Sequence, residues 1–402
     1  MLSNRISQLQ SSSTIAINRR VLELRADGKQ IISFGIGEPN FDVPQKIKEA
    51  AIEAINNNFS RYTASDGIKE LKQAIIRKFS RDNNLEYEEK NIIVGTGAKQ
   101  CLYNFFQAVL NGGDEVIIPS PYWLSYPEQI KLSGGTPVFA DTAPSFKLKA
   151  EQIAKAITNK TKIIVLNSPN NPTGMMIEKE ELLKIGELAI EKNIFIVSDE
   201  VYEYFIYPPF SSTPSNSPLA RGRNGLHISI ASLGKEIKDR TITINGLSKS
   251  AGMTGWRLGY AAGPEEIISA MRKIQEQTTS NPTSIIQKAA ISALDLGKDW
   301  MADILKDFEA KRDFACQKLT EIGFEIQVPE GAFYIFFDVS KYFNNEIKNS
   351  LGFCADLLDK AGVALIPGGS FGNDNCARLS YAADWNDLKS GMEKIQQYLT
   401  PV

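Results

Sequence analysis

Five short β-branched runs, each closing on a turn or on polar residues, constrain the fold more than any other feature of the sequence. They cover residues 92–94, 115–118, 162–166, 194–197 and 241–244. Several are separated by stretches of helical periodicity, at residues 102–110 and 178–191. This alternation predicts an α/β fold with a mostly parallel sheet covered by helices. Ligands bind beyond the carboxyl ends of such strands, so the residues that follow the five runs are expected to converge on one crevice.

The length of the chain favours more than one domain. Its 402 residues exceed what one compact unit usually holds, so two domains are expected. The sheet and its helices are assigned to a large domain, residues 45–295. A helix-like run at 299–319, followed by apolar stretches at 324–328 and 332–338, predicts a smaller α+β domain over residues 296–402. Residues 208–225 are rich in Pro, Ser, Gly and Arg and predict an exposed loop.

Composition argues against several classes of partner. With 45 basic and 47 acidic residues and no basic block, no nucleic-acid partner is expected. The polar start and the lack of an apolar run of about 18 residues predict a cytoplasmic protein without a membrane partner. The four cysteines have no paired spacing, so reduced, packed thiols are expected rather than a zinc site; they are Cys101, Cys316, Cys354 and Cys376.

The chain has a single histidine, His227. A catalytic Ser-His or Cys-His pair, or any multi-histidine metal site, would depend on this one residue. Its neighbours predict a surface histidine before a strand, and no metal is expected. Lysine is therefore the better candidate for a proton carrier.

The segment GTGAKQ follows the first run and precedes a helical stretch. Free N–H groups and the positive end of the helix dipole would suit a phosphate at Gly97 and Ala98. Gln100 stands where a dinucleotide fingerprint needs its third glycine, which argues against NAD. A plain strand-to-helix turn explains the segment equally well.

Two polar residues follow other runs. Asp199 ends an apolar strand, where a carboxylate needs a cation, a metal or hydrogen-bond donors, although a helix N-cap would also explain it. Tyr202 lies one helical turn further along if the chain bends there. Asn171, before Pro172, is most simply a turn residue.

Lys249 lies among small residues directly after the last run. A surface lysine in a loop is one interpretation. Arg257 follows in an apolar context, where an unpaired guanidinium would be costly. An amine of lowered pKa that forms a Schiff base, close to an arginine that binds phosphate, explains both residues.

Four segments together carry a resemblance to a known family: SPNNPTG, VSDEVYE, NGLSKSAGMTGWRLGY and the late Arg378-Leu-Ser. In this order they resemble the class I, fold-type I pyridoxal-phosphate aminotransferases, over nearly the whole chain. The segments SFGIGEPNFD, RYTASDG, GTGAKQ, SPYWLSYPE and GAFYIF are most similar to the bacterial aspartate aminotransferase branch, which includes aspartate/prephenate enzymes.

The resemblance implies catalytic roles around pyridoxal 5′-phosphate. Lys249 would hold the cofactor as a Schiff base and then carry the proton between the substrate and the cofactor. Asp199 would keep the pyridine nitrogen protonated, and Asn171 and Tyr202 would hydrogen-bond the phenolic oxygen. Trp123 would stack on the ring, and Trp123 and Asn171 would also contact the substrate.

The resemblance further implies a phosphate site and a homodimer with shared active sites. The residues expected near the phosphate are Gly97, Ala98, Lys99, Ser248, Arg257 and, from a second subunit, Tyr62.

Substrate recognition follows from the same resemblance. Arg378 would grip the α-carboxylate of amino-acid and 2-oxo-acid substrates beside Gly37. Lys99, with Ser13 and Thr14, would bind a distal carboxylate. Residues 1–44, the N-terminal segment, would fold over the site and contribute to the small domain.

The resulting hypothesis is transfer of the amino group of L-aspartate to 2-oxoglutarate. A prephenate or aromatic amino acid aminotransferase is the first alternative; Gln10, where some prephenate-active relatives carry lysine, counts against prephenate. A pyridoxal-phosphate-dependent C–S β-lyase on the same fold is the second. A non-catalytic binder of the kind attached to transcription regulators ranks last, because only about forty residues precede the fold, too few for a DNA-binding domain.

Overall fold

The computed structural model describes residues 3–9, 13–208 and 227–399, without the side chains of residues 4, 5, 13–15 and 18. The loop expected at residues 208–225 lies outside the described residues apart from Pro208, as does Gln10. Within the described ranges, no helix is long and apolar enough to cross a membrane.

Helices make up much of the described chain. The α-helices are α1 (Asn4–Ser7), α2 (Ser13–Ala26), α3 (Gln45–Asn56), α4 (Lys69–Asn83), α5 (Ala98–Val109), α6 (Ser125–Leu132), α7 (Ala150–Ala156), α8 (Lys179–Glu191), α9 (Lys235–Lys238), α10 (Leu247–Ser250), α11 (Glu265–Glu276), α12 (Ser284–Leu296), α13 (Ala302–Ile322), α14 (Ser350–Ala361) and α15 (Trp385–Leu399). Short 3-10 helices span Glu89–Asn91, Ile230–Leu233, Thr254–Trp256, Asp299–Met301, Ser340–Tyr342 and Gly368–Phe371.

The strands of the described residues form three sheets. They are β1 (Ile32–Ser33), β2 (Ile92–Gly95), β3 (Glu115–Ser120), β4 (Thr136–Asp141), β5 (Thr161–Asn167), β6 (Phe195–Asp199), β7 (Thr241–Gly246), β8 (Gly259–Ala262), β9 (Tyr334–Asp338), β10 (Val363–Ala364), β11 (Ile366–Pro367) and β12 (Cys376–Ser380).

A seven-stranded sheet in the order β2-β8-β7-β6-β5-β3-β4 dominates the larger part of the molecule. Its pairs from β4 through β3, β5 and β6 to β7 are parallel, and only β8 runs antiparallel to its neighbours. The expected α/β fold is confirmed, and the five β-branched runs are β2, β3, β5, β6 and β7. The other two strands went unpredicted: β8 has the sequence GYAA, without a β-branched residue, and β4 carries a proline at the sheet edge.

Helices on both faces explain why the central strands are continuous apolar runs rather than alternating ones. In β5, Ile163 and Val165 pack in a core with α5, whereas Ile164 and Leu166 pack on the opposite face with α8. Successive side chains of a strand point to opposite faces, so burial on both faces requires apolar residues throughout.

The C-terminal part holds an antiparallel sheet in the order β11-β12-β9. Close to the N-terminus, β1 pairs in parallel with β10, so the two ends of the chain meet. Of the two apolar stretches expected here, residues 334–338 form β9, but residues 324–328 form no strand. Phe324 is nevertheless buried edge-on against Phe337, with ring centroids 4.8 Å apart. Its apolar side chain therefore contributes to core packing and not to a strand of the sheet.

Candidate active site

Lys249 lies at the carboxyl end of β7, in the four-residue helix α10. Its Nζ donates a hydrogen bond to the carbonyl of Gly37, 212 positions earlier in the sequence, and lies 6.0 Å from the ring centres of Tyr202 and Phe333. Burial is the largest influence on this amine and lowers its pKa to about 8, against the opposing effect of Glu38. The sequence-based expectation of an amine with lowered pKa agrees with this geometry.

Asp199 lies one strand away, at the end of β6, where it pairs in register with Ile244 of β7. Its side chain is buried, and Oδ2 accepts a hydrogen bond of 2.7 Å from the Tyr126 hydroxyl. Residues 201–204 form a turn, so the alternative of a helix cap at Asp199 is wrong. No lysine or arginine of the described chain forms an ion pair with this carboxylate, and burial raises its pKa to about 6.

Arg378 reaches the same crevice from β12 and is 3% exposed. It donates from one terminal nitrogen to Asn171 Oδ1 and from the other to the carbonyl of Gly35, both at 2.9 Å, while Nε has no hydrogen-bond partner in the structure. Because a guanidinium can only donate, the Asn171 oxygen must face Arg378. The amide nitrogen of Asn171 is therefore left as a donor on its other side.

Two tyrosines join these groups. The hydroxyls of Tyr202 and Tyr334 are 2.8 Å apart, and both side chains are buried. The Arg378 guanidinium lies 4.5 Å from the centre of the Tyr334 ring. Gly37 approaches so closely that a Cβ there would lie 2.8 Å from the Tyr334 hydroxyl, which explains the glycine.

The start of α5 is packed tightly against the end of the sheet. A Cβ on Gly259 would lie 2.1 Å from the amide nitrogen of Ala98, so only glycine fits at this position of β8. Gly97, at φ 80°, caps the helix, and a Cβ there would lie 2.6 Å from the Arg257 guanidinium. The Gly97 N–H donates to the carbonyl of Gly95 at 2.8 Å, a contact that a phosphate would have to replace.

Three cations gather around this helix start: Lys99, Lys249 and Arg257. Lys99 lies over the Trp123 ring at 4.9 Å, and its pKa is lowered by burial and then by Arg257. Arg257 also lowers the pKa of Lys249. Mutual repulsion of this kind would be relieved by a bound anion.

The expectation that Arg257 sits in an apolar context is wrong, because its side chain is exposed and donates to the carbonyl of Thr254 at 2.8 Å. The backbone of Arg257 adopts the left-handed conformation at φ 58°, so its side chain points in a different direction from those of its apolar sequence neighbours. Lys99 is also exposed as a whole residue, although the protein atoms around its amine desolvate that group enough to lower its pKa. Water can therefore reach both cations from the crevice.

The remaining expected residues are less fully described. Ser248 is half-buried in α10, beside Lys249. Tyr62 is 87% exposed and points away from the core of its own chain. Ser13 and Thr14 begin α2, but their side chains lie outside the described part of the structure.

The interpretation of His227 as a surface residue before a strand is wrong. Its side chain is 7% exposed, its Nε2 lies 3.0 Å from a carboxylate oxygen of Glu200, and a 3-10 helix follows it. All four cysteines are free and buried, as expected.

Sequence reasoning missed Tyr126 and Tyr334, although it singled out the segments SPYWLSYPE and GAFYIF that contain them. It also missed Asn167, whose side chain accepts from the backbone N–H of Asn171 at 2.8 Å and donates to the backbone carbonyl of Asp199 at 3.0 Å. A signal was available for Asn167, since it ends β5 just as Asp199 ends β6.

Comparison with known proteins decides the family. The family model for class I and II aminotransferases matches residues 29–395. The chain belongs to this aminotransferase family. An aspartate aminotransferase of Bacillus sp. (strain YM-2) is 46% identical, with 99% of each chain covered. A probable aspartate/prephenate aminotransferase of Rickettsia typhi is 43% identical, over 99% of this chain and 98% of the relative.

Solved structures agree with this assignment. The aspartate aminotransferase of Thermus thermophilus with maleate superimposes with a TM-score of 0.90 at 37% identity, covering 99% of both chains. The aspartate aminotransferase of Rhizobium meliloti gives 0.90 at 39% identity, over 99% of this chain and 98% of the other. This aminotransferase thus shares the whole fold, and not one motif, with its relatives.

Proposed function

We propose that this aminotransferase transfers the amino group of L-aspartate to 2-oxoglutarate, with pyridoxal 5′-phosphate as cofactor. The observation that carries the proposal is the convergence of Lys249, Asp199 and Arg378 on one crevice. Close relatives named aspartate aminotransferase support the substrate, and the structure of the Thermus thermophilus aspartate aminotransferase was solved with maleate, a dicarboxylate.

The donor set fits this cofactor. Asp199 is a buried carboxylate that has a tyrosine donor but no ion-paired lysine or arginine among the described residues; a protonated pyridine nitrogen would supply that positive charge. The helix start at Gly97 and Ala98, with Ser248 and Arg257, suits a phosphate. Trp123, half-buried beside Lys99, suits the ring face. When bound, the cofactor takes up the amino group and accepts the charge left by the departing α-proton.

The side chains of the protein then position and move protons. Lys249, with its lowered pKa, is partly uncharged near neutral pH and can take the proton from the substrate α-carbon. In the structure without cofactor, its amine donates a hydrogen bond to the carbonyl of Gly37. The amide nitrogen of Asn171 and the Tyr202 hydroxyl would donate to the phenolic oxygen.

Substrate binding would use two cations. Arg378 has donors left for an α-carboxylate and is held rigidly by Asn171 and Gly35. Lys99, at the mouth of the crevice, would take the distal carboxylate together with Ser13 and Thr14. We further propose that residues 45–295 form a large domain and that residues 296–402, with the segment 1–44, form a small one. The protein would act as a homodimer in which Tyr62 reaches the phosphate bound by the partner subunit.

The first experiment is a half-reaction. Protein purified with pyridoxal phosphate is mixed with L-aspartate in the absence of an acceptor, and visible absorption and oxaloacetate are followed. We expect the absorption band to convert, with release of oxaloacetate, and to be restored by 2-oxoglutarate. Lys249→Ala is the control and should show no turnover. Release of pyruvate from cysteine-type substrates, with no conversion by aspartate, would instead identify a β-lyase.

Lys99→Ala tests the choice of a dicarboxylic substrate. We expect kcat/KM for aspartate and 2-oxoglutarate to fall by roughly 10–100-fold, about 1.4–2.7 kcal/mol, because a charge contact at the distal carboxylate is lost. Alanine as substrate should lose far less, since it lacks that carboxylate. Equal losses for both would mean that Lys99 serves the phosphate only. Prephenate, assayed in parallel as acceptor, tests the activity named for the Rickettsia relative.

A further inference from the structure

A cluster of buried charged residues lies behind the active site, on the side of the sheet ends facing α4. It consists of Glu200, Glu203, Lys78 and His227, with Asn83 between them. Lys78 and Glu200 are each 1% exposed and Glu203 is 6% exposed. Burial of four ionisable groups together is costly unless their charges are matched.

The contacts within the charged cluster pair each carboxylate with a different basic group. Lys78 forms an ion pair with Glu203, and His227 Nε2 lies 3.0 Å from a Glu200 oxygen. The Asn83 amide nitrogen bridges both carboxylates, at 3.2 Å to Glu200 and 2.8 Å to Glu203. One lysine cannot balance two carboxylates. With both carboxylates ionised, the cluster is therefore neutral only when His227 is an imidazolium.

The charged cluster is joined to the active site through two strand ends. Glu200 follows Asp199 directly, and its backbone N–H donates to the carbonyl of Ile244 at 2.9 Å. Glu203 accepts a hydrogen bond of 2.6 Å from the side chain of Asn245. The side-chain oxygen of Asn245 in turn accepts from the Gly246 N–H at 2.7 Å, directly before the short helix α10 that carries Lys249, here called the Lys249 turn. A change in the charge of the cluster would therefore act on both strand ends, the one at Asp199 and the one before the Lys249 turn.

We propose that His227, as an imidazolium, is a positioning residue that balances the Glu200 charge and thereby keeps Asp199 ionised and the Lys249 turn in place. The role of Asp199 in this inference rests on the proposed function; the charge state of His227 does not. Without the imidazolium, the Glu200 charge would act on Asp199 uncompensated and favour its protonation.

A metal ion fits the same residues less well. Ligand atoms of Glu200, Glu203 and His227 lie within 4.8 Å of one another. However, Lys78 already supplies a buried positive charge to Glu203, and a divalent cation would have to displace it. The arrangement is that of a closed ion-pair network.

The charges facing His227 favour its protonation, although Nε2 approaches Glu200 without hydrogen-bond geometry and Nδ1 has no acceptor among the described residues. Burial, the largest influence, lowers its pKa, but Glu200 and then Glu203 raise it, Lys78 opposes them, and the net direction is upward. His227 also lines a cleft of about 430 Å³, which gives it access to solvent protons; Asp82, Lys298 and Asp299 are the other charged residues there besides Glu203. A raised pKa stabilises the fold fully below the unfolded value of about 6.5, and this contribution is lost as the pH rises through the folded value.

The first test uses the fact that this is the only histidine in the chain. Holoenzyme labelled with ¹⁵N-histidine gives a single imidazole spin system, which is titrated by NMR. We expect both ring nitrogens to be protonated at pH 7, with a midpoint above 6.5. Glu200→Gln should lower that midpoint. A neutral imidazole at pH 7 would overturn the proposal, as would a signal that responds to EDTA or to stoichiometric Zn²⁺.

The second test separates positioning from simple packing, with His227→Gln measured against wild type. The stability advantage of wild type in urea unfolding should be largest near pH 6 and shrink as the pH rises. In the holoenzyme, kcat at pH 7 should fall about twofold with little change in KM, because a rise of one unit from a pKa of about 6 leaves only about half of Asp199 ionised. The pH midpoint of the bound-cofactor absorption should rise, because a positive charge is lost. A uniform stability loss at every pH with an unchanged midpoint would show that His227 only fills space.

Discussion

At the residue scale, Asp199 is the side chain whose surroundings most clearly lack a positively charged partner. It is fully enclosed, yet its hydrogen-bond donors are the Tyr126 hydroxyl at 2.7 Å and a long contact of 3.4 Å from Val201. A buried carboxylate in this state destabilises the protein unless a positive group arrives. The chain therefore holds a residue that is unfavourable for folding alone and favourable once a cation binds.

Asp199→Asn should accordingly change the stability in opposite directions with and without cofactor. In the cofactor-free protein, the pKa of Asp199 lies above its ordinary 3.8, at about 6, so ionisation costs stability as the pH rises through this window. At pH 7 the asparagine should be more stable by about 1–3 kcal/mol. With pyridoxal phosphate bound it should be less stable, because the partner of the ring nitrogen is lost.

Thermal unfolding of both forms, with and without cofactor at pH 7, measures this difference. Tyr126→Phe is the matched variant, since it removes the donor and keeps the charge. The same sign of change in both states would show that Asp199 has no cationic partner in the bound form.

At the scale of elements, the anion site depends on how closely α5 approaches the end of β8. The approach is possible because Gly259 presents no side chain to Ala98. Gly97 in turn leaves room for the Arg257 guanidinium. The helix start and the arginine are thus brought together by glycines on two different elements.

Gly259→Ala should displace the start of α5. An added Cβ would lie 2.1 Å from the Ala98 amide nitrogen, which is a backbone atom that cannot turn away. We expect a loss of roughly 1–3 kcal/mol in stability and a much weaker affinity for pyridoxal phosphate. Gly255→Ala is the control, since nothing lies within 4 Å of a Cβ there. Cofactor binding followed by fluorescence titration, with equal affinities for the two variants, would contradict this account.

At the scale of the whole molecule, the phosphate end of the proposed site is open to solvent. Arg257 is exposed there, and Tyr62, an aromatic side chain, is 87% exposed elsewhere on the same chain. Exposed apolar side chains also lie on α3, where Ile52 and Ile55 are 54% and 56% exposed. These features fit the proposed homodimer, in which each chain would complete the other's site.

Hybrid dimers test whether Tyr62 acts across the interface. Chains carrying Lys249→Ala are mixed with chains carrying Tyr62→Ala and allowed to exchange subunits. If Tyr62 serves the partner's site, one site of each hybrid is intact, and random pairing restores about a quarter of wild-type activity. Parental variants alone are the controls. No recovery above the average of the two parents would place Tyr62 in its own chain's site.

The sequence alone determined the fold class, five strands of the main sheet and the residues at their ends, because β-branched runs and the polar tails after them are local patterns. Only the tertiary structure decided which distant groups meet there. The contact of Lys249 with Gly37, the donation from Tyr126 to Asp199 and the burial of His227 against Glu200 each join separate elements. Such contacts depend on how helices and strands pack, which no local propensity encodes, and burial in turn sets the pKa values on which the chemistry depends.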